Sequence, residues 1–345
     1  ADNGQLHVVD LSDPDAPTLR ASYDMPGEPT SVAFTADGQL IAPVIVQKIE
    51  EGAPPAPRAG VLAKVDINSG NISTVEIGNQ PDSVAIAELG DDGTWAVIAI
   101  ENEPIVVDDD GNVTDDEDPG TPGDTSAPGL IQLVNLETDQ VIDVPLDLSG
   151  TDLLFPDDPQ PEFVDIDGGT AVVSLQENNG YAVIDLATAA AGRGGVEIFS
   201  SGTARNRTAD LTEDDNIAFT EVYPRDLIAA AEEAKAAAEA DGDADAAADA
   251  AAELAYLGGR MPDGLAVHEG RIYFADEGEQ SGTGGRGAYS VRNLNTGKLL
   301  HEERGHLERA LARRGQYQDG RSGNKGIEVE GAEIGTFDGN DFLFS

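Results

Sequence analysis

The chain contains no cysteine, has few histidines and basic residues, and lacks any long apolar run. The absence of cysteine excludes a disulfide framework, a thiolate metal site and a cysteine nucleophile. The four histidines are too scattered for a multi-copper centre; they are His7, His268, His301 and His306. No stretch of about 18 consecutive apolar residues occurs, so we expect no segment that inserts directly into a membrane.

Positive charge is the scarcest property of this sequence. Lysine and arginine together number 20 among 345 residues, against 66 aspartates and glutamates, and the formal net charge is -46. Binding to nucleic acid depends on clustered lysines and arginines that contact phosphates, so we predict no nucleic-acid partner. The same deficit argues against docking on anionic lipid through a basic patch.

The acidic residues are spread along the whole chain, and 39% of the residues are hydrophobic, which is enough to form a core. At ordinary ionic strength a chain with this charge would repel itself strongly. In about 1 M salt the Debye length falls to about 3 Å and the repulsion is screened. We therefore predict a protein of a halophile, such as a halophilic archaeon. An acidic periplasmic or secreted protein from a moderate habitat is the alternative.

One hairpin pattern recurs five times along the chain. Each copy has a Pro or acidic start, an apolar strand, a polar turn that contains glycine, and a second apolar strand, which is typical of a β-hairpin. The copies span residues 29–46, 81–100, 161–175, 262–275 and 330–344.

Further strands follow these hairpins. Third strands are predicted at residues 61–67, 130–136 and 181–186, and fourth strands at residues 72–77 and 141–146. A four-stranded unit that repeats along a chain indicates the blades of a β-propeller. We predict an all-β fold of six or seven four-stranded blades, one of them drawing on residues 196–222. A β-sandwich or a β-helix is the alternative.

The whole chain, residues 1–345, is predicted to form a single propeller domain. Residues 5–11 and 18–23 have the pattern of a third and fourth strand without a first pair, and residues 325–345 supply a first pair. The two ends together would complete one blade and close the ring, which removes free sheet edges.

Three segments interrupt the repeating pattern. Residues 103–129 form a predicted loop rich in Asp, Pro and Gly, and residues 280–287 form a Gly-rich loop. Residues 225–257 are rich in Ala, Glu and Asp and are predicted to form a helical hairpin that breaks near Asp241–Gly242–Asp243. The acidic run at residues 108–118 lacks the ligand spacing and flanking helices of an EF-hand, so we interpret it as a solvated loop, with a calcium loop as the alternative.

Four stretches carry a family resemblance. They are LQENNGYAVIDL at residues 175–186, MPDGLA at 261–266 followed by ADEGE at 275–279, ENEP at 101–104, and RSGNKGIEVEG at 321–331. In this order they resemble motifs of the choice-of-anchor I family of secreted β-propellers, over about residues 27–344 outside the helical insert. The resemblance implies a propeller at the cell surface or outside the cell. Family labels such as alkaline-phosphatase-like and phytase-esterase-like also imply a phosphoesterase as an alternative activity.

The second strand of successive hairpins ends in carboxylates and amides. Equivalent positions in successive blades lie on one face of a propeller, so we expect these side chains to form an acidic rim. Ca²⁺ takes six to eight oxygen ligands, which Glu, Asp and Asn supply. The predicted ligands are Glu101, Glu103, Glu177, Asn178, Asp276 and Glu277. Solvated acidic loops are the alternative.

These observations predict an extracellular or cell-surface binding or structural module that holds Ca²⁺. The expected partners are a surface-layer or other protein, or further copies of the chain. A calcium-dependent phosphoesterase is the alternative, and it would need basic residues for phosphate. Lys325, Arg321 and Arg292 are the candidates, although we favour surface ion pairs as the role of these residues. His268 lies beside a turn, where a structural role is expected, and no G-x-S-x-G motif occurs.

Overall fold

The computed structural model describes residues 4–38, 40–47, 59–102, 106–107, 113–114, 128–279, 283–323 and 326–345. The chain divides into two compact units. Unit 1 comprises Ala1–Asp147, Asp157–Ala171 and Ile184–Val196, and unit 2 comprises Leu148–Pro156, Val172–Val183 and Glu197–Ser345.

Where the structure describes unit 1, it has two four-stranded antiparallel sheets and two short ribbons. The first ribbon pairs β1 (Gln5–Asp10) with β2 (Thr18–Asp24). The first sheet has the order β3 (Gly27–Phe34), β4 (Leu40–Gln47), β5 (Ala59–Asp66), β6 (Ile72–Asn79). The second sheet comprises β7 (Pro81–Glu88), β8 (Thr94–Ile100), β11 (Leu130–Asn135) and β12 (Val141–Pro145), and the ribbon of β9 (Val106–Val107) and β10 (Val113–Thr114) lies between β8 and β11 in sequence.

A third four-stranded sheet has the order β13 (Pro161–Asp167), β14 (Thr170–Leu175), β15 (Gly180–Asp185), β16 (Val196–Ser200). A short helix, α1 (Leu186–Ala190), lies between β15 and β16 in sequence. The residues of this sheet are divided between the two units.

The described residues of unit 2 form a fourth such sheet, two ribbons and three α-helices. Its elements are β17 (Arg207–Ala209), β18 (Glu221–Tyr223), α2 (Arg225–Asp241), α3 (Ala244–Tyr256), β19 (Met261–His268), β20 (Arg271–Glu279), β21 (Thr283–Asn293), β22 (Leu299–Glu302), α4 (His306–Arg314), β23 (Glu333–Phe337) and β24 (Asn340–Phe344). Strands β19 to β22 form the sheet in chain order, while β17 pairs with β18 and β23 with β24. Short 3₁₀ helices occupy Gly90–Asp92 in unit 1 and Asp319–Arg321 in unit 2.

All five predicted hairpins are confirmed as antiparallel pairs of adjacent strands. The turns explain why the pairing is local. Glu269–Gly270 and Asp338–Gly339 have positive φ at both positions. This is the geometry of type I′ turns, whose twist matches that of the flanking strands.

The core of unit 1 lies on both faces of its central strands. On β4, Ala42 and Val44 belong to one buried cluster, while Ile41 and Ile45 belong to another. The first cluster also contains Ile98 of β8, so the first two sheets pack against each other through alternating apolar side chains. Strand β6, at the edge of its sheet, is mostly exposed or half-buried.

Two predicted segments differ from the structure, and one is confirmed. Residues 196–222 were expected to contribute strands to a further blade. Residues 196–200 instead form β16, the fourth strand of the third sheet, and the rest of the region forms only the two-stranded ribbon of β17 and β18. The predicted loop at 280–287 is wrong for residues 283–287, which continue β21 and pair with the end of β20. The helical hairpin is confirmed, and it breaks at Gly242, whose φ of 73° is left-handed. The blade count and the ring closure stay predictions.

Candidate functional site

Four of the predicted ligands lie in unit 2, at the ends of two strands. Glu177 and Asn178 follow β14, whereas Asp276 and Glu277 lie on β20. Glu101 follows β8 of unit 1 and is half-buried, and Glu103 lies outside the described residues. The ends of β14 and β20 lie close together, because Gln176, which precedes Glu177, contacts Glu277.

Glu277 is a predicted ligand whose surroundings suit a cation. Its side chain is buried, and Gln176 donates a hydrogen bond from Nε2 to Glu277 Oε2 at 3.0 Å. Ligand atoms of Glu277, Glu328 and Glu330 all lie within 4.8 Å of one another. This cluster of three carboxylates, called here the Glu277 cluster, brings together residues 53 positions apart in the sequence.

The segment that carries Glu328 and Glu330 is held by its backbone. The N–H of Gly264, in the irregular part of β19, donates to the carbonyl oxygen of Glu330 at 2.9 Å. A Cβ atom at Gly264 would lie 2.4 Å from that oxygen, so only glycine permits the approach. Glu328 has a left-handed φ of 47° and its carboxylate pairs with Arg321.

Asp276 has quite different surroundings, because successive residues of a strand face opposite sides of the sheet. Its side chain is buried, accepts a hydrogen bond from Ser290 Oγ at 3.2 Å, and lies 3.8 Å from Arg260 Nε through Oδ2. Burial raises the pKa of Asp276 to about 6, and the guanidinium of Arg260 opposes this only in part. The long distance to Arg260 explains why the desolvation of the carboxylate is the larger effect.

Arg260 is the centre of this buried charge network. It donates from Nη2 to Glu302 Oε1 at 2.6 Å and from Nη1 to the carbonyl oxygen of Ser201 at 2.9 Å. Arg292 also donates to the Ser201 carbonyl oxygen, and donates from Nη1 to the carbonyl oxygen of Gly297 at 2.8 Å. The two guanidinium groups compete with any cation for the oxygens of Asp276.

Asn178 and the basic candidates have structural partners. The fully buried Asn178 donates a hydrogen bond from Nδ2 to the carbonyl oxygen of Leu154 at 3.0 Å. This bond links the turn between β14 and β15 to the segment that contains Leu154. Arg292 packs its guanidinium 5.8 Å from the ring centre of Tyr181, and Arg321 pairs with Glu328. His268 lies 3.3 Å from Asp341. Lys325 is outside the described residues.

Sequence reasoning missed Glu328 and Glu330 as candidate ligands. Both lie in the stretch Gly326–Ile327–Glu328–Val329–Glu330, which carried part of the family resemblance. The alternation of glutamates in that stretch was the available signal, but it does not show which strand end the segment approaches.

Fold and site define an all-β protein of four-stranded antiparallel sheets, with a cluster of carboxylates beside one strand end in unit 2. The sequence matches the family model of the choice-of-anchor I domain over residues 1–238, more than half of the chain. The chain therefore belongs to the choice-of-anchor I family, as the motifs predicted. No curated protein matches its sequence.

Several solved structures are similar to this chain. A functionally unknown protein from Desulfotomaculum acetoxidans is 11% identical, with 88% of this chain and 80% of that chain covered and a TM-score of 0.38. A protein of unknown function from Bacteroides thetaiotaomicron is 12% identical over 87% of this chain and 55% of that chain, with a TM-score of 0.38. Hydrazine synthase of Kuenenia stuttgartiensis is 13% identical with a TM-score of 0.34, and the match spans about half of its length, 53% of each chain. At these TM-scores the similarities carry no argument about fold or function.

Proposed function

We propose that this chain is a binding module at the cell surface or outside the cell of a halophilic organism, and that it carries Ca²⁺ on the Glu277 cluster. Membership of the choice-of-anchor I family supports association with a surface. No helix among the described residues is long and apolar enough to cross a bilayer. The calcium proposal rests on one observation, the three carboxylates whose ligand atoms lie within 4.8 Å of one another.

The charge of the Glu277 cluster suits a divalent cation. Three carboxylates lie together here, and the guanidinium of Arg321 pairs with one of them, Glu328. Two unit charges 4.8 Å apart repel each other by about 3 kcal/mol at an effective dielectric constant of about 20. A hard cation with oxygen ligands would remove this repulsion, and three carboxylates provide up to six oxygens, the lower end of calcium coordination.

Calorimetric titration of Ca²⁺ into chelator-treated protein in molar NaCl tests the proposal. We expect one binding event in the wild-type chain and at least about tenfold weaker binding in Glu277→Gln, a loss of about 1.4 kcal/mol. The amide keeps the size of the side chain and an oxygen for the Gln176 hydrogen bond, so the loss reports the missing charge.

Glu233→Gln is the matched control, because it makes the same change at an exposed glutamate of unit 2, on α2, outside the Glu277 cluster. We expect its titration to equal that of the wild type. Absence of heat and of thermal stabilisation by Ca²⁺ in the wild-type chain would contradict the proposal, as would equal weakening by the two variants.

The phosphoesterase alternative finds no support in the described residues. A phosphate pocket would need available basic side chains, whereas Arg292 is buried among carbonyl oxygens and Arg321 neutralises Glu328. Binding, rather than phosphate hydrolysis, is therefore the function proposed for this site.

A further inference from the structure

The sequence contains three Asn-x-Ser/Thr tripeptides, the acceptor pattern for transfer of an N-linked glycan. They begin at Asn71, Asn112 and Asn206. Asn112 lies outside the described residues. The pattern alone is short and frequent, so the surroundings of the other two tripeptides decide which of them a transferase could use.

Asn71 lies at the surface of unit 1, in the turn between β5 and β6. The side chains of Asn71, Ile72 and Ser73 are all exposed, Ile72 by 40%. The backbone of the turn is held by hydrogen bonds from Asp66 N to Asn71 O at 3.0 Å and from Gly70 N to Asp66 O at 2.8 Å. The acceptor amide and the required hydroxyl of Ser73 are therefore presented together on a fixed turn.

The tripeptide at Asn206 is exposed only in part. Its middle residue, Arg207, is buried, with the guanidinium 5.1 Å from the ring centre of Tyr223 and Nε 3.8 Å from Glu308. The hydroxyl of Thr208 accepts a hydrogen bond from Arg309. An enzyme could bind this tripeptide only by pulling Arg207 out of its pocket and displacing Arg309.

We propose that Asn71 is an N-glycosylation site of this protein and that Asn206 is not. The proposal rests on the proposed function, because it requires export to a compartment that holds a glycan transferase. The donor is a sugar chain linked through phosphate to a lipid. Asn71 Nδ2 forms a bond to the anomeric carbon while the bond from that carbon to the phosphate oxygen breaks. The electron pair leaves with the lipid phosphate, and one amide proton passes to a base of the transferase.

A glycan at this position would protect an exposed sheet edge. β6 is the last strand of the first sheet, and Ile72 and Ser73 are its first two residues. Unpaired edges invite pairing with other chains, and bulky polar groups at an edge prevent it. The glycan would thus keep β6 and the exposed Ile72 from contact with neighbouring proteins at a crowded surface.

Peptide mass mapping of the full chain tests the proposal. The chain is given an export signal and produced in a halophilic host that glycosylates its own exported proteins. Cleavage after glutamate separates the three tripeptides into residues 52–76, 104–117 and 198–213. We expect a glycan mass on peptide 52–76 and the unmodified mass for peptide 198–213.

Substitutions then separate the acceptor from its hydroxyl. Asn71→Gln and Ser73→Ala should each abolish the glycan on peptide 52–76, whereas Ser73→Thr and Asn206→Gln should leave it in place. An unmodified peptide 52–76 from exported wild-type protein, beside a glycosylated host protein from the same cells, would overturn the proposal. A glycan found on peptide 198–213 would overturn it as well, because the proposal excludes Asn206.

The added export signal makes this result independent of the natural location of the protein. Protease treatment of intact native cells reports that location separately. A protein that stays protected inside native cells would refute the proposed surface function, while the occupancy of Asn71 in exported protein still decides the chemistry of the site.

Discussion

Asp276 and Glu277 are neighbours on β20, yet their carboxylates have different partners. Asp276 points to the buried network around Arg260, whereas Glu277 is held by Gln176 and faces two further glutamates. Adjacent residues of the same charge type appear equivalent in the sequence, and both were predicted as calcium ligands. The alternation of side chains along a strand separates them.

The raised pKa of Asp276 leads to a prediction about pH. Its pKa is about 6 in the folded chain, against an ordinary value of 3.8, so the folded state holds the proton more tightly. Wild-type stability should therefore include a favourable contribution below about pH 4 that is lost as the pH rises to about 6, worth about 3 kcal/mol in total. In Asp276→Asn this contribution to the pH dependence should be absent.

Denaturant unfolding at constant salt between about pH 4 and pH 7 measures this effect. The free energy of unfolding of Asp276→Asn should increase relative to that of the wild type as the pH rises across that range, because the wild type alone loses the contribution of Asp276. Asp152→Asn, at an exposed position of unit 2, serves as the control. A constant difference between wild type and Asp276→Asn at every pH would contradict the assignment.

At the scale of elements, local pattern and observed strands agree closely. The predicted pairs at residues 29–46 and 81–100 correspond to β3–β4 and β7–β8, because period-two alternation and the glycine turns are both local signals. The mistake at 283–287 has a physical reason as well. Glycine-rich sequence suggests a loop, but pairing of Gly284 with Gly278 extends the hairpin there.

Gly264 allows a test of how β19 positions the Glu277 cluster. In Gly264→Ala the new Cβ would meet the carbonyl oxygen of Glu330 at 2.4 Å, so the segment that carries Glu328 and Glu330 must move away. We expect the calcium affinity measured by calorimetry to fall at least about tenfold, or about 1.4 kcal/mol.

Gly331→Ala is the control for that change, since a Cβ there meets nothing within 4 Å. We expect it to bind Ca²⁺ like the wild type. Unaltered binding by Gly264→Ala, in a chain that unfolds at the wild-type temperature, would show that the contact of β19 with Glu330 does not position the ligands.

At the scale of the whole molecule, the formal net charge of -46 dominates. Acidic residues occur in both units. The repulsion between them is stronger in the compact folded chain than in the expanded unfolded chain, so it destabilises the folded state. Salt at molar concentration shortens the range of this repulsion to about 3 Å. Apart from any bound ion, this predicts a folded state that depends on concentrated salt.

Thermal unfolding with chelator present tests this dependence. The unfolding temperature should rise steadily from about 0.2 M to about 3 M NaCl, because screening removes repulsion in the folded state. Chelator keeps the Glu277 cluster free of Ca²⁺, so the increase does not report calcium binding. Equal unfolding temperatures at both ends of the range would refute the assignment to a halophile.

The sequence by itself determined the family, the all-β class, the hairpins and the helical insert, because turn residues and alternation act over a few positions. Only the tertiary structure decided the partners of the charged residues. Arg260 lies beside Asp276, and Glu277 beside Glu328, although each pair is separated by more than 15 positions. Such neighbours depend on how strands and loops pack across a sheet, and the different partners then distinguish carboxylates that are chemically alike in the sequence.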